Sequence, residues 1–161
     1  MDNATIQGQA SDVIWKQSDL ASLSASGLYR LLRERVAVFV VEQDCPYQDL
    51  DGLDDRAIHL WAEAPDGAIL AYARVLPPGT SFTEASIGRV LTTSAGRTKG
   101  LGRDLMERAL AVCTSRFPDS GIRISAQEYL VRFYLSLGFE TVRGPYLEDG
   151  IPHLEMLRAA V

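Results

Sequence analysis

The stretch "GRVLTTSAGRTKGLGRDLMERALAVC", Gly88 to Cys113, contains the most informative pattern in the chain. An apolar run ends in small residues, a glycine turn follows at 97–102, and apolar residues then recur three and four positions apart. This order predicts a strand, a tight turn and a helix. Glycines let the backbone approach an anion closely, and the free N–H groups at a helix start attract negative charge. Because Arg97, Lys99 and Arg103 flank the turn, we predict that it binds a phosphate group.

Two common phosphate-binding patterns do not match this turn. A Walker loop places a lysine after its last glycine and then Ser or Thr, whereas here Lys99 precedes Gly100 and Leu101 follows it. A dinucleotide-binding fingerprint that starts at Gly100 lacks its third glycine, because Leu105 occupies that position. The pattern that is left is Arg-x-x-Gly-x-Gly between a strand and a helix. So loose a pattern also arises by chance, and alone it is weak support for a site.

Composition narrows the class of protein. With 161 residues, 47% of them hydrophobic, the chain can bury a core, and we predict one domain over 1–161 with a loose terminus at 1–11. A net charge of -5 argues against a nucleic-acid partner. Apolar runs such as 36–41 are far shorter than the roughly 20 residues of a membrane span, and the N-terminus lacks an export signal. Cys45 and Cys113 have neither disulfide nor zinc-ligand spacing, which predicts reduced cytoplasmic thiols and no metal.

The order of elements predicts a mixed α/β sheet rather than a fully wound parallel one. The predicted strands are 13–17, 57–64, 69–76, 86–92, 121–127, 139–144 and 153–157. The predicted helices are 28–39, 100–116 and 128–137. Ser24 or Ser26 would cap the first helix, and Gly138 would stop the last.

Four stretches resemble one superfamily. The run "IGRVLTTSAGRTKGLGRDLMERAL", 87–110, resembles motif A of the GCN5-related N-acetyltransferases (GNAT), whose Arg/Gln-x-x-Gly-x-Gly/Ala sequence binds the pyrophosphate of acetyl-coenzyme A. The run "AQEYLVRFYLSLGF", 126–139, resembles motif B, at the expected distance downstream. More narrowly, "VFVVEQDCPYQDLDGLDD" at 38–55 and "YLEDGIPHLEM" at 146–156 are similar to the ElaA-like branch. The resemblance covers most of the chain, from about residue 28 to residue 156.

This resemblance implies a fold and a set of cofactor contacts. The fold would be a mixed, mostly antiparallel sheet with flanking helices, in which two parallel central strands, 86–92 and 122–127, splay apart. The pantetheine arm of the co-substrate would lie in that gap, and the side chain of Gln127 would contact the cofactor from the second strand. Backbone groups of the first strand and of the turn would hold the arm and the pyrophosphate, respectively: Val90, Leu91 and Thr92, then Arg97, Thr98, Lys99, Gly100, Leu101, Gly102 and Arg103.

The resemblance also implies a reaction. An acetyl group would pass from acetyl-coenzyme A to a primary amine by direct attack of the neutral amine on the thioester. Tyr134 aligns with the general-acid tyrosine of many relatives, next to the cofactor, and would protonate the departing sulfur. A phenol with a pKa near 10 stays protonated at neutral pH. The alternative interpretation is that Phe133 and Tyr134 only pack a short helix.

The general base and the acceptor stay open at this level. Glu42 and His153 are candidate bases, and Asp149 and His59 are further options. The acceptor would be a small-molecule or peptide amine, and the protein could form a homodimer. Two other classes of function are a non-catalytic acyl-coenzyme A binding or regulatory protein of the same fold, and an unrelated domain that binds nucleotide phosphates.

An acidic cluster lies between the first helix and the second strand: Asp49, Asp51, Asp54 and Asp55. An EF-hand loop needs a ligand and a glycine where this chain has Leu53 and Asp54, so a calcium loop is excluded. We therefore expect a solvated loop that lies near the acceptor side and attracts amines.

Overall fold

The computed structural model describes residues 12–160, and the predicted loose terminus at 1–11 lies outside that part of the chain. Its strands are β1 Ile14–Asp19, β2 Ile58–Glu63, β3 Ile69–Leu76, β4 Ala85–Thr92, β5 Ile122–Gln127, β6 Glu140–Glu148 and β7 Ile151–Arg158. Its helices are α1 Ala25–Arg35, continued by a π-helical segment Val36–Glu42, then α2 Ser94–Arg97, α3 Leu101–Arg116 and α4 Val131–Leu135. Short 3₁₀ turns occur at Asp54–Arg56 and Glu128–Leu130. None of the helices formed by 12–160 combines the length and apolarity of a membrane-spanning helix.

The strands form one seven-stranded sheet in the order β1-β2-β3-β4-β5-β7-β6. Neighbouring strands run antiparallel except β4 and β5, which run parallel. Those two pair only at their starts, Ala85 with Ile122 and Ser86 with Arg123, and then separate. The predicted mixed, mostly antiparallel sheet with a splayed parallel pair is confirmed.

A β-bulge in β4 accompanies the separation. Arg74 of β3 pairs with Gly88 and Tyr72 pairs with Leu91, so two steps along β3 oppose three along β4. The extra residue is accommodated where Arg89 adopts a positive φ of 50°. Because a bulge bends its strand and increases the local twist, β4 changes direction in the middle of the sheet, beside the gap.

Helices cover the two faces of the sheet. In α3, Leu105, Met106 and Ala109 are fully buried and pack in one cluster with residues of β2 to β5. Leu31 of α1 packs in a second cluster with Trp61 and Tyr72. Leu60 belongs to the first cluster and Trp61 to the second, because successive side chains of a strand point to opposite faces.

Three helices differ from the predicted elements. The first begins at Ala25, where the Ser24 hydroxyl accepts a hydrogen bond from the Gly27 N–H at 3.0 Å, so Ser24 rather than Ser26 is the cap. From Val36 its winding becomes π-helical along "VAVFVVE", where the branched valines fit an α-helix poorly. The predicted helix 128–137 is split into a 3₁₀ turn and α4, and the short α2 was not predicted from the small residues at 92–96.

Candidate active site

A cavity of about 320 Å³ opens where β4 and β5 separate. The walls come from β4, β5, α4, the hairpin between β6 and β7, and the chain that follows the π-helical segment. The cavity brings together these predicted site residues and options: Val90, Gln127, Tyr134, Asp149 and His153. The other predicted residues, Glu42, His59, Leu91, Thr92 and those at 97–103, are not among the described residues that line it.

The glycine turn has the geometry of an anion cradle. Gly100 is the N-cap of α3 with a φ of 66°, and no side chain caps this helix start. The side chain of Leu101 is buried in the core, whereas a Cβ added at Gly100 or Gly102 would meet no protein atom within 4 Å. The first N–H groups of a helix have no partner within the helix. This open backbone therefore fits a pyrophosphate group. Such a group must approach the backbone closely, and a side chain at either glycine would block that approach.

Two of the charged side chains around the turn, those of Arg97 and Arg103, already have partners. A guanidinium nitrogen of Arg97 lies 2.5 Å from Glu42 Oε1, and Arg103 donates to the Ser136 hydroxyl at 2.7 Å. The Arg103 guanidinium also lies 5.7 Å from the centre of the Phe133 ring. Glu42 thus faces the turn and is ion-paired there. Glu42 is not among the described residues that line the cavity, whereas His153 is.

Backbone contacts fix the approach to the turn. The Thr93 hydroxyl donates to the Ile69 carbonyl at 3.0 Å and accepts from the Gly96 N–H at 3.2 Å. A Cβ at Gly96 would lie 1.9 Å from the Leu70 carbonyl oxygen. Only glycine lets α2 pack this closely on β3. The small residues at 92–96 are visible in the sequence, but their packing against β3 could not be predicted from it.

Tyr134 lies in the cavity wall with its ring buried between two phenylalanines. The ring of Phe133 lies 5.2 Å away and that of Phe139 6.0 Å away, both in edge contacts. Burial raises the pKa of the Tyr134 hydroxyl to about 12. Among residues 12–160 this hydroxyl has no hydrogen-bond partner, although the ring is held firmly. It is therefore protonated at neutral pH and free to donate to a molecule in the cavity.

The two histidines have different surroundings. His153 faces the cavity, with Nδ1 2.7 Å from the Ile151 carbonyl oxygen and Nε2 3.5 Å from a carboxylate oxygen of Glu148. His59 is fully buried, accepts from the Tyr72 hydroxyl at 2.7 Å and donates to the Asp54 carbonyl at 3.0 Å. Burial lowers the pKa of His59, so the ring stays neutral. Both ring nitrogens are occupied, and His59 is a structural residue rather than a base.

The acidic loop is not the solvated cluster that the sequence suggested. Three of its four aspartates bind three arginines, and Asp55 has no arginine partner among the described residues. The ion pairs are Arg35 with Asp49 at 2.9 Å and Asp54 at 2.6 Å, Arg74 with Asp51 and Asp54, and Arg89 with Asp49 at 2.8 Å and Asp51 at 3.3 Å. Arg35 and Arg74 are buried and must be neutralised there. Asp49, Asp51 and Asp54 are thus neutralised by arginines, and their attraction for amines stays a prediction.

The ion pairs also shift the acidity of the loop. Burial opposes ionisation of Asp51, but hydrogen bonds from Arg74 outweigh it and lower the Asp51 pKa to about 2. Burial also opposes ionisation of Asp54, but the hydrogen bond and the positive charge of Arg35 outweigh it and lower the Asp54 pKa. The loop is thereby fixed over one end of the cavity, which Tyr47, Asp51, Arg74 and Arg89 line. Within 12–160 no group of three His, Cys, Asp or Glu side chains is arranged to hold a metal ion.

Comparisons with known proteins agree with this geometry. The family model described as an acetyltransferase (GNAT) domain matches residues 22–159. Protein ElaA of Escherichia coli (strain K12) is 42% identical over 151 residues, which cover 91% of this chain and 97% of ElaA. The crystal structure of E. coli ElaA superimposes with a TM-score of 0.83. The crystal structure of an acyl-CoA N-acyltransferase from Pseudomonas aeruginosa is 45% identical in sequence and superimposes with a TM-score of 0.85. The match covers 91% of this chain and 99% of the Pseudomonas chain. The chain therefore belongs to the GNAT family of acyltransferases, which use acyl-coenzyme A donors, and it is a homologue of ElaA.

Proposed function

We propose that the protein transfers an acetyl group from acetyl-coenzyme A to a primary amine. The observation that carries the proposal is the cavity between β4 and β5, whose wall contains the Tyr134 hydroxyl without a hydrogen-bond partner among residues 12–160. The open glycine turn follows β4 along the chain. A binding protein would need the turn and the gap, but it would not need a protonated phenol free to donate in the cavity. The free thiols of Cys45 and Cys113 support a reducing compartment, and we propose the cytoplasm.

Backbone groups would hold the donor. Beyond Ser86 and Arg123 the two parallel strands no longer pair, which leaves the edge of β4 free to hydrogen-bond an extended arm as if it were a strand. Val90, Leu91 and Thr92 lie on this segment. On the second strand, the Gln127 amide donates to the Gln43 side chain at 3.3 Å, a long contact that can be exchanged for the donor.

Acetyl-coenzyme A would supply an acetyl group activated as a thioester. Tyr134 would hold its proton at the hydroxyl and donate it toward the sulfur as the sulfur departs, and Phe133 and Phe139 would keep the ring in position. The pyrophosphate would be held by the backbone N–H groups at 100–103, with Arg97 and Lys99 adding charge. No metal enters this mechanism. We propose a small-molecule or peptide amine as the acceptor.

A panel of amines tests the proposal. Purified protein would be incubated with acetyl-coenzyme A and with alkyl amines, amino acids, diamines and short peptides, and free thiol release would be measured. Turnover with at least one amine is expected, together with binding of coenzyme A in calorimetry. Binding without any turnover would favour the non-catalytic acyl-coenzyme A binding protein, and absence of both would contradict a cofactor site at the turn.

A further inference from the structure

Three carboxylates line the cavity, those of Asp51, Glu148 and Asp149, and Glu148 lies beside His153 at the end of β6. The Ser125 hydroxyl donates to Glu148 Oε2 at 2.7 Å. The Tyr146 hydroxyl lies 2.6 Å from the same serine oxygen and must be the donor there, because the serine proton is already used. A chain of two hydroxyls on β5 and β6 therefore holds the Glu148 carboxylate in one orientation.

The hydrogen bonds of His153 determine which nitrogen faces Glu148. A carbonyl oxygen can only accept, so Nδ1 must carry the proton that it donates to Ile151 at 2.7 Å. The other nitrogen, Nε2, lies 3.5 Å from Glu148 Oε2. In neutral His153 this nitrogen and the carboxylate oxygen are both acceptors and face one another. A proton donor that enters the cavity, such as an ammonium group, can therefore donate to either atom.

Glu148 and Asp149 are the two carboxylates that line the cavity without a lysine or arginine partner among the described residues. The three arginines and three aspartates of the loop network cancel, so that network leaves no net charge. Among the described residues, Glu148 has no lysine or arginine partner, and His153 is the basic group next to it. A protonated amine that enters the cavity therefore finds an oriented and unneutralised carboxylate.

We propose that Glu148, backed by His153, is the group that takes the proton from the acceptor amine. The assignment rests on the proposed acetyl transfer. The ammonium nitrogen gives one proton to Glu148 and becomes the neutral amine that forms the new N–C bond. As the C–S bond breaks, the sulfur leaves as a thiol with the proton from Tyr134. The nitrogen loses its second proton, which returns through solvent to the Tyr134 oxygen, and Glu148 releases its own proton to solvent.

This assignment also specifies the class of acceptor. An alkyl ammonium has a pKa of about 10, so at neutral pH the acceptor arrives as a cation and needs a base. Glu148 attracts a cation, and the neighbouring Asp149, which also lines the cavity, disfavours an anionic group close to the reacting nitrogen. We therefore expect an unsubstituted cationic primary amine to be preferred over an α-amino acid, whose carboxylate lies next to its amine.

The test compares two amines that differ in their need for a base. Propylamine is protonated at neutral pH, whereas methoxyamine is largely neutral under the same conditions. The variant Glu148→Gln keeps the size of the side chain and an oxygen that Ser125 can still bind. Glu140→Gln, at the exposed start of the same strand, removes the same charge and serves as the control. Melting temperature and coenzyme A affinity would be measured for every variant.

We expect Glu148→Gln to lower kcat/KM with propylamine by about 10²-fold, in the range for a lost general base, and to leave methoxyamine turnover nearly unchanged. Glu148→Asp should restore part of the propylamine rate, which keeps the test decisive if Glu148→Gln folds poorly. Equal losses with both amines would mean a structural role, and no loss would mean another base; either result overturns the assignment. If the wild-type protein turned over neither amine nor any member of the panel, the proposed function itself would fail, and the assignment with it.

Discussion

A carboxylate oxygen of Glu42 lies 2.5 Å from a guanidinium nitrogen of Arg97, so the end of the π-helical segment is ion-paired to the glycine turn. Both side chains are nearly half exposed, and a pair of this kind contributes at most about 1 kcal/mol because water screens it. A pyrophosphate carries more charge than one carboxylate. Glu42 therefore competes weakly with the proposed ligand for Arg97, and the competition can be measured.

Substitutions at the two ends of this ion pair should change coenzyme A affinity in opposite directions. Arg97→Ala removes one charge-assisted contact and should weaken binding about tenfold, since the backbone N–H groups stay in place. Glu42→Gln frees Arg97 and should tighten binding a few-fold at low salt, in line with about 0.2–1 kcal/mol for an exposed pair. Calorimetry on both variants and the double variant measures this. If Glu42→Gln still tightened binding after Arg97→Ala, the competition would be disproved.

Gly102→Ala should separate binding from stability. The new methyl group meets no protein atom, and alanine is favoured over glycine inside a helix by roughly 0.5–1 kcal/mol, so the melting temperature should hold or rise. The same methyl group would keep a pyrophosphate away from the backbone, and coenzyme A affinity should fall by about tenfold or more. Ser115→Ala, exposed on the same helix, is the control and should leave affinity alone. Unchanged affinity in Gly102→Ala would argue against a pyrophosphate at this turn.

Tyr134→Phe should remove catalysis and little else. The hydroxyl has no partner among residues 12–160 and the ring contacts are kept, so stability and coenzyme A affinity should barely change. Turnover should fall by about 10²- to 10⁴-fold, as for a lost general acid, and less for an acyl donor whose thiol is more acidic. Rates with both donors at saturating concentration measure this. A rate ratio near one for both donors would mean that the tyrosine only packs.

The ion pairs of the loop predict how stability depends on pH. The pKa of Asp51 falls from 3.8 to about 2 in the folded protein, against the opposing effect of burial, because Arg74 donates to it. Because its pKa is lower in the folded protein, ionised Asp51 contributes to stability above about pH 4, and this contribution is lost as the pH falls toward 2. Asp51→Asn should therefore lower the melting temperature at pH 7 and have a smaller effect near pH 2. Asp55→Asn, at an exposed aspartate of the same loop, is the control and should leave the melting temperature unchanged at both pH values. If Asp51→Asn lowered the melting temperature equally at pH 7 and near pH 2, the ion-pair explanation would be contradicted.

Features that depend on neighbouring residues could be predicted from the sequence. Strand, turn and helix around Gly100 follow from apolar spacing and from glycine, and the first N–H groups of a helix lack partners within that helix. The order of the elements was also enough to predict the mixed sheet. Tyr134 was found because its motif places the phenol on a short helix just after the second splayed strand.

Contacts between side chains that are distant in the sequence could not be predicted before the fold was known. Arg35 and Asp49 are 14 residues apart and Arg89 and Asp49 are 40 apart, so the acidic loop looked solvated until α1 and β4 were brought against it. The pairing of β5 with β7 and β7 with β6 brings Ser125, Glu148 and His153 together at the cavity, and the bulge at Arg89 turns β4 beside it. Register and long-range packing set these contacts. A shift of one residue in a strand would turn each side chain to the other face, and no local pattern in the sequence records that choice.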